Sequence, residues 1–334
     1  MKQDILQTAE AFVSQPFLAD RMGGNVPDVI YGANESRFME ATFSEPLTAF
    51  AVGYKDPGQL QELLDFIAPV VPTTRRFEYA YATNAEEFQA ETNNEDVRSI
   101  GASFKRVEYT THKAVGVTYN KGLTIRVDLD NVEDQPLWEQ IYTARIMRRL
   151  LRAEALRAYT VLAALATNTP LVWNATAGLD PDQDIADLVV AFADSMGMNP
   201  TRVLYGINAW QARRKAHRAQ NTAGGFASSQ QTIDEVAVGV GVDEGFISRE
   251  RYSTSATAKS RIVPSTVLVY MSEANQSPED PSNVKRFVSN TQGGTPFRVF
   301  RQVVNAKLVD ITVEHYSNIL PTATLGVQMA TISA

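Results

Sequence analysis

Residues 145–165 read RIMRRLLRAEALRAYTVLAAL, and the architecture of the chain is worked out from this stretch. Upstream, Asp134 and Pro136 supply a helix start, since proline tolerates the first turn. Downstream, Asn168, Thr169 and Pro170 supply a stop. The span predicts one helix of about 30 residues, roughly 45 Å long at 1.5 Å per residue. At helical spacing Met147, Leu150, Leu151, Ala158, Val161, Leu162 and Leu165 fall in one apolar stripe. Arg145, Arg148, Arg149 and Arg152 form a ridge nearly opposite it. Glu154 falls inside the apolar stripe, where a carboxylate calls for a cationic partner more than for a catalytic role. A lone ridge of this kind is ordinarily a solvated face, but four arginines at i, i+3, i+4 and i+7 invite an acidic partner.

Such a partner lies in the same sequence. RRFEYAYA at 75–82 alternates Phe77, Tyr79 and Tyr81 with smaller or charged residues, and FKRVEYTTHKAVGVTY at 104–119 also alternates. Both are expected to be strands. Between them, residues 83–103 hold Glu86, Glu87, Glu91, Glu95 and Asp96 against the single base Arg98. This insert is too poor in apolar residues to form a core. A two-stranded ribbon is marginal alone in water, so it should lie on its own domain or be donated to a neighbour; the plainer alternative is a surface loop.

The remainder reads as mixed α and β. Ile185, Leu188, Val189, Phe192 and Met196 repeat at helical spacing, and Gly197 fits the position past the helix end. A short strand at 202–205 and a helix from Asn208 follow. QNTAGGFASSQQ at 220–231 is expected to be a mobile loop, and IDEVAVGVGV a helix passing into a glycine-broken strand. STVLVYM at 265–271 reads as a buried strand. In the tail, Val309, Ile311 and Val313 alternate with Asp310, Thr312 and Glu314, which predicts a strand with one face to the core. ATLGVQMATI closes with another strand.

Bulk properties narrow the class. The chain has 334 residues, 44% hydrophobic and 21% charged, long enough for one large domain or several smaller ones. A net charge of −7 argues against a surface that grips nucleic acid everywhere. There is no cysteine, so neither disulfides nor thiolate metal sites arise. No apolar run approaches the length of about 18 residues expected of a membrane span, and MKQDILQTAE at the start is no secretory signal. His112, His217 and His315 are the only histidines, and none has a neighbour at metal-ligand spacing. No nucleophile elbow, phosphate loop or dinucleotide fingerprint is present. Neither catalytic, cofactor-binding nor metal residues are expected.

The order of parts resembles the major capsid protein family of tailed bacteriophages, whose shell fold is shared with encapsulins and the herpesvirus capsid floor. GQLQELLDFIAPVVPTTRRFEY at 58–79 resembles the arm helix entering the E-loop, and IADLVVAFADSMGMNPTRVLYGINAWQARR at 185–214 the axial helix, strand and helix. The resemblance covers nearly the whole chain but rests on element order, not on an invariant motif. It implies an α+β capsid fold with an N-terminal arm at 1–72, an E-loop β-ribbon at 73–120, a peripheral domain with the spine helix at 121–179, an axial domain at 180–295 and return strands of the peripheral domain at 296–334.

What the resemblance implies for function is a structural subunit without enzymatic activity or cofactor. It would assemble in the host cytoplasm into hexamers and pentamers of an icosahedral virion shell around double-stranded DNA, contacted only by non-specific proximity. A separate scaffolding protein and a portal are the expected partners, since Met1 is followed almost at once by the arm, and no membrane is involved. Residues 83–103 hold no lysine, which disfavours the E-loop crosslink of some relatives. The five acids and the four-arginine ridge are then candidates for one inter-subunit contact. The competing readings are an encapsulin-type compartment shell and an α/β enzyme with an unrecognised site.

Overall fold

The computed structural model describes residues 42–81, 97–98, 100, 103–104, 112–132, 134–176, 178–273, 281–291 and 294–333. Seven α-helices are described: α1 Glu45–Val52, α2 Leu60–Ile67, α3 Trp138–Leu165, α4 Pro181–Met196, α5 Ile207–Ala219, α6 Ala223–Gln230 and α7 Ile233–Gly239. The strands before α3 are β1 Val70–Thr73, β2 Arg76–Tyr81, β3 His112–Val117 and β4 Tyr119–Asp128. After it come β5 Thr167–Val172, β6 Arg202–Gly206, β7 Glu244–Ser248, β8 Arg251–Ser253 and β9 Lys259–Arg261. The last five are β10 Thr266–Tyr270, β11 Val284–Ser289, β12 Phe297–Val303, β13 Leu308–Pro321 and β14 Gln328–Ser333.

Two sheets flank the long helix. In the first, β13 is the hub: it pairs β12 along 309–315, β4 along 308–317 and β11 along 316–321, and β11 carries β1 in parallel. The second runs β5-β14-β10-β6-β7. β2 and β3 form a separate antiparallel ribbon, from Arg76↔Val117 to Tyr81↔His112. Its foot is fixed by rings: Phe77 stacks on Phe287 of β11 at 4.4 Å and Tyr79 lies 5.4 Å from the same ring.

Helix α3 serves two cores. Its first half packs Ile146, Met147 and Leu150 against α1 and the first sheet, with Leu47, Val299, Ile311 and Val313. Its second half packs Leu151, Ala155, Ala158 and Leu162 against α2 and the second sheet. Alternation along β10 divides that sheet: Leu268 and Tyr270 face α2 and α3, while Val267 and Val269 face a third core built from α4, α5 and α7. One buried strand therefore cements two layers, as period-two side chains require.

Three expectations need correction. Helix α3 begins at Trp138, behind Leu137 in the left-handed conformation, and Asn168, Thr169 and Pro170 belong to β5 instead of a loop. Pro170 fits there because β5 is an edge strand, paired only with β14. Residues 223–230 of the expected mobile loop are helix α6, since the Thr222 hydroxyl caps it by accepting from Gly225 N at 3.0 Å. The strand after α7 is Glu244–Ser248, beyond the glycines that suggested it. The polar face of β13 is also covered: Asp310, Thr312 and Glu314 are buried. Their partners come from β4. Arg126 donates to both Asp310 oxygens at 2.8 and 3.0 Å, Thr124 shares a hydrogen bond with Thr312 at 2.8 Å, and Asn120 donates to Glu314 at 3.0 Å.

Candidate functional site

The carboxylate in the apolar stripe does find cations. Glu154, 2% exposed, receives Lys121 Nζ of β4 on Oε1 at 2.9 Å, and Arg157 one turn along the helix binds the same oxygen. Ser317 of β13 donates to Oε2 at 3.1 Å, and Lys121 also reaches the Ser317 hydroxyl at 3.1 Å. Burial alone would push this carboxyl up; His315, 3.8 Å away, and Lys121 outweigh it and hold it well below the usual carboxylate range. Burial lowers the Lys121 ammonium, opposed by Glu154. The network ties the centre of α3 to β4 and β13. Beside it lies a cavity of about 160 Å³ walled largely by Met147, Leu150 and Phe297.

A second ion pair, buried on its arginine side and half-buried on its acid side, joins α4 to α5. Arg213 on α5, fully buried, grips Asp182 in the first turn of α4 with both forks, and Nη2 reaches Oδ2 at 2.8 Å and Gln231 Oε1 at 2.9 Å. His217, one turn on from Arg213, sits 3.2 Å from Asp182 Oδ2. Sequence reasoning missed this pair, because 31 residues separate its members and no spacing rule links them. Among the described residues no three acidic or histidine side chains converge as a metal site would require.

The arginine ridge is not one surface. Arg145 is exposed and lies over the Tyr142 ring at 4.7 Å. Arg148 donates Nε to the Tyr54 hydroxyl at 2.8 Å and lies 3.6 Å from Asp56, which anchors the chain after α1. Arg149 is exposed. Arg152 is half-buried, and it lines a cleft of about 410 Å³ with Arg249, Glu250, Arg251, Tyr252, Ser253 and Lys259. The β8–β9 hairpin forms the far wall of this cleft. The other half of the expected contact, Glu86, Glu87, Glu91, Glu95 and Asp96, lies outside the described residues. Among the described residues, only Arg152 of these four arginines lines the cleft.

No family model and no curated protein sequence matches the chain. Solved structures do. A phage-related protein from Bordetella bronchiseptica RB50 superposes with a TM-score of 0.62 at 18% identity, covering 86% of this chain and 96% of its own. The capsid of cyanophage P-SCSP1u superposes with a TM-score of 0.52 at 8% identity, covering 80% of this chain and 87% of its own. The chain has the α+β phage-capsid fold. Within it, α3 is the long spine helix. The Glu154 network joins the middle of this helix to β4 and β13, and the Asp182–Arg213 pair joins α4 to α5. No described helix of this capsid fold is long and apolar enough to cross a membrane.

Proposed function

We propose that this chain is a shell subunit of a phage capsid, self-assembling into hexamers and pentamers of an icosahedral virion shell that encloses double-stranded DNA. The observation that carries the reading is the extent of the fold match, which takes in 86% of this chain and 96% of a phage-related protein. Two features of the chain agree with it. The rigid polar networks lie inside the subunit, where they fix shape. The ribbon, in contrast, is held at its foot, where Phe77 and Tyr79 meet Phe287 and Asn318 donates to the Val117 carbonyl at 2.8 Å, and Val115 in β3 is 73% exposed. An exposed valine among Glu78, Arg76 and Lys113 on the outward face of the ribbon suits a mixed surface that a neighbour covers.

On this reading the subunit divides into the arm at 1–72, E-loop at 73–120, peripheral domain at 121–179 and 296–334, and axial domain at 180–295. Its partners are other copies of itself, a separate scaffolding protein and a portal, with DNA held by proximity alone. It carries out no catalysis and needs no cofactor. The test is sedimentation and negative-stain microscopy of the expressed full chain: closed particles or six-fold and five-fold rings support the reading, and a monomer at every concentration and salt overturns it.

A further inference from the structure

We infer that the cationic cleft between the spine helix and the β8–β9 hairpin seats the acidic segment 83–103 of a second copy of this chain. The inference rests on the shell reading and names the surface through which one subunit would hold the next. The cleft gathers Arg152 from α3, Arg249 from the turn before β8, Arg251 from β8 and Lys259 from β9. Its one carboxylate, Glu250, is already engaged: Oε1 accepts the backbone N–H of Gln59 at 3.1 Å, at the start of α2. Among the described residues none of the four cations is ion-paired, and the Arg152 Nε is buried without an acceptor. Buried donors of this kind demand an oxygen. Guanidinium forks match carboxylates in shape as well as charge.

The choice of occupant follows from the sequence and from what the other arginines do. Segment 83–103 brings five acids and one base. That base, Arg98, lies over the Phe104 ring at 5.2 Å. On the spine, Arg148 is held by Tyr54 and Asp56 and Arg145 covers Tyr142; Arg149 is exposed, but only Arg152 joins three further cations, so the densest cation cluster open to a partner lies at the Arg152 end. The contact is between unlike patches, the kind that propagates around a ring.

The chain has no cysteine, so single cysteines report proximity cleanly. Ser253→Cys subunits mixed with subunits carrying cysteine in place of Glu86, Glu87, Glu91 or Glu95 should give a disulfide dimer on a non-reducing gel with at least one of the four. Arg145→Cys in place of Ser253→Cys should give none. In parallel, Arg249→Glu with Arg251→Glu should lower the fraction sedimenting as particles by about tenfold or more, while Arg145→Glu with Arg149→Glu stays within about twofold of wild type. Adding Glu86→Lys and Glu87→Lys to the reversed cleft should restore particles. Arg249→Gln with Arg251→Gln serves where the reversal fails to fold by circular dichroism, and it too should lose particles. The inference is overturned if no mixed dimer forms, or if both cleft variants assemble like wild type. It is also overturned if they assemble but shed co-purifying nucleic acid, which would make the occupant a phosphate backbone. A wild-type chain that stays monomeric defeats the shell reading itself; wild-type particles with an indifferent cleft defeat only this contact.

Discussion

Lys121 Nζ stands 2.9 Å from Glu154 Oε1, so β4 is tied by a buried ion pair to the middle of the spine helix. The two side chains are 18% and 3% exposed. Removing one member leaves the other charge in a poorly solvated site, which costs about 3–5 kcal/mol, whereas replacing both with apolar residues costs much less. Glu154→Ala should therefore lower the melting temperature by about 5–10 °C. Glu154→Met combined with Lys121→Met should recover most of that loss in a thermal melt. Equal melting of the single and double variants would show that Arg157 and Ser317, not Lys121, set the stability of the site.

The same group predicts an acid-sensitive fold. Its carboxyl is held below its ordinary value of 4.5 in the folded chain. A depressed carboxyl contributes stability that is fully present above the unfolded value and lost as pH falls towards the folded one. Glu154→Gln carries no charge to titrate. The gap in melting temperature between wild type and Glu154→Gln should thus be widest near neutral pH and shrink as pH falls below 4.5. Melts across an acid series measure it, and a gap constant over that range would place the stabilisation outside the ionised form.

What the sequence made legible divides along range of interaction. The spine, the α4 and α5 helices and the buried β10 strand each carry their pattern within one segment, and Gly197, left-handed just past α4, marks that helix's end. The partner of Glu154 was half legible: a nearby arginine is there at i+3, but Lys121 arrives from another element. Along β13 the alternation reports which residues share a face, not whether that face is covered. Arg126, Thr124 and Asn120 on β4 cover it. The cleft was illegible for the same reason, since Arg152 and Lys259 are 107 residues apart and meet only through the tertiary fold.

Gly206 tests the junction between β6 and α5. A Cβ placed there would stand 1.8 Å from the Pro264 carbonyl oxygen and 3.1 Å from that of Val263. Both obstacles are backbone, so no side-chain rotation relieves them, and β10 follows directly after Pro264. Gly206→Ala should destabilise the chain by about 3 kcal/mol or more, above the usual range for overpacking. Urea unfolding of Gly206→Ala beside Gly224→Ala, where a Cβ meets nothing within 4 Å, separates this from a general cost of losing glycine.

The ribbon gives the sharpest separation of folding from assembly. Its foot is packed: Phe77 and Tyr79 stack on Phe287, and Gly116 faces the Phe77 ring so closely that a Cβ there would stand 2.4 Å from it. Among the described residues, the three buried cores draw on none from 84–101. Replacing 84–101 with a short Gly-Ser turn keeps the β2–β3 pairs from Arg76↔Val117 onward and leaves those cores whole. The deletion should therefore melt within about 1–2 °C of wild type, as a change outside the core does, with the same far-ultraviolet circular dichroism. Particles should be lost in sedimentation, because the segment proposed to reach the neighbour is gone. Phe77→Ala inverts the pattern: losing a stacked ring costs about 3–5 kcal/mol and loosens the foot itself. A deletion that unfolds would place segment 84–101 in the core of its own subunit, and a deletion that still assembles would show that the E-loop tip does not join subunits.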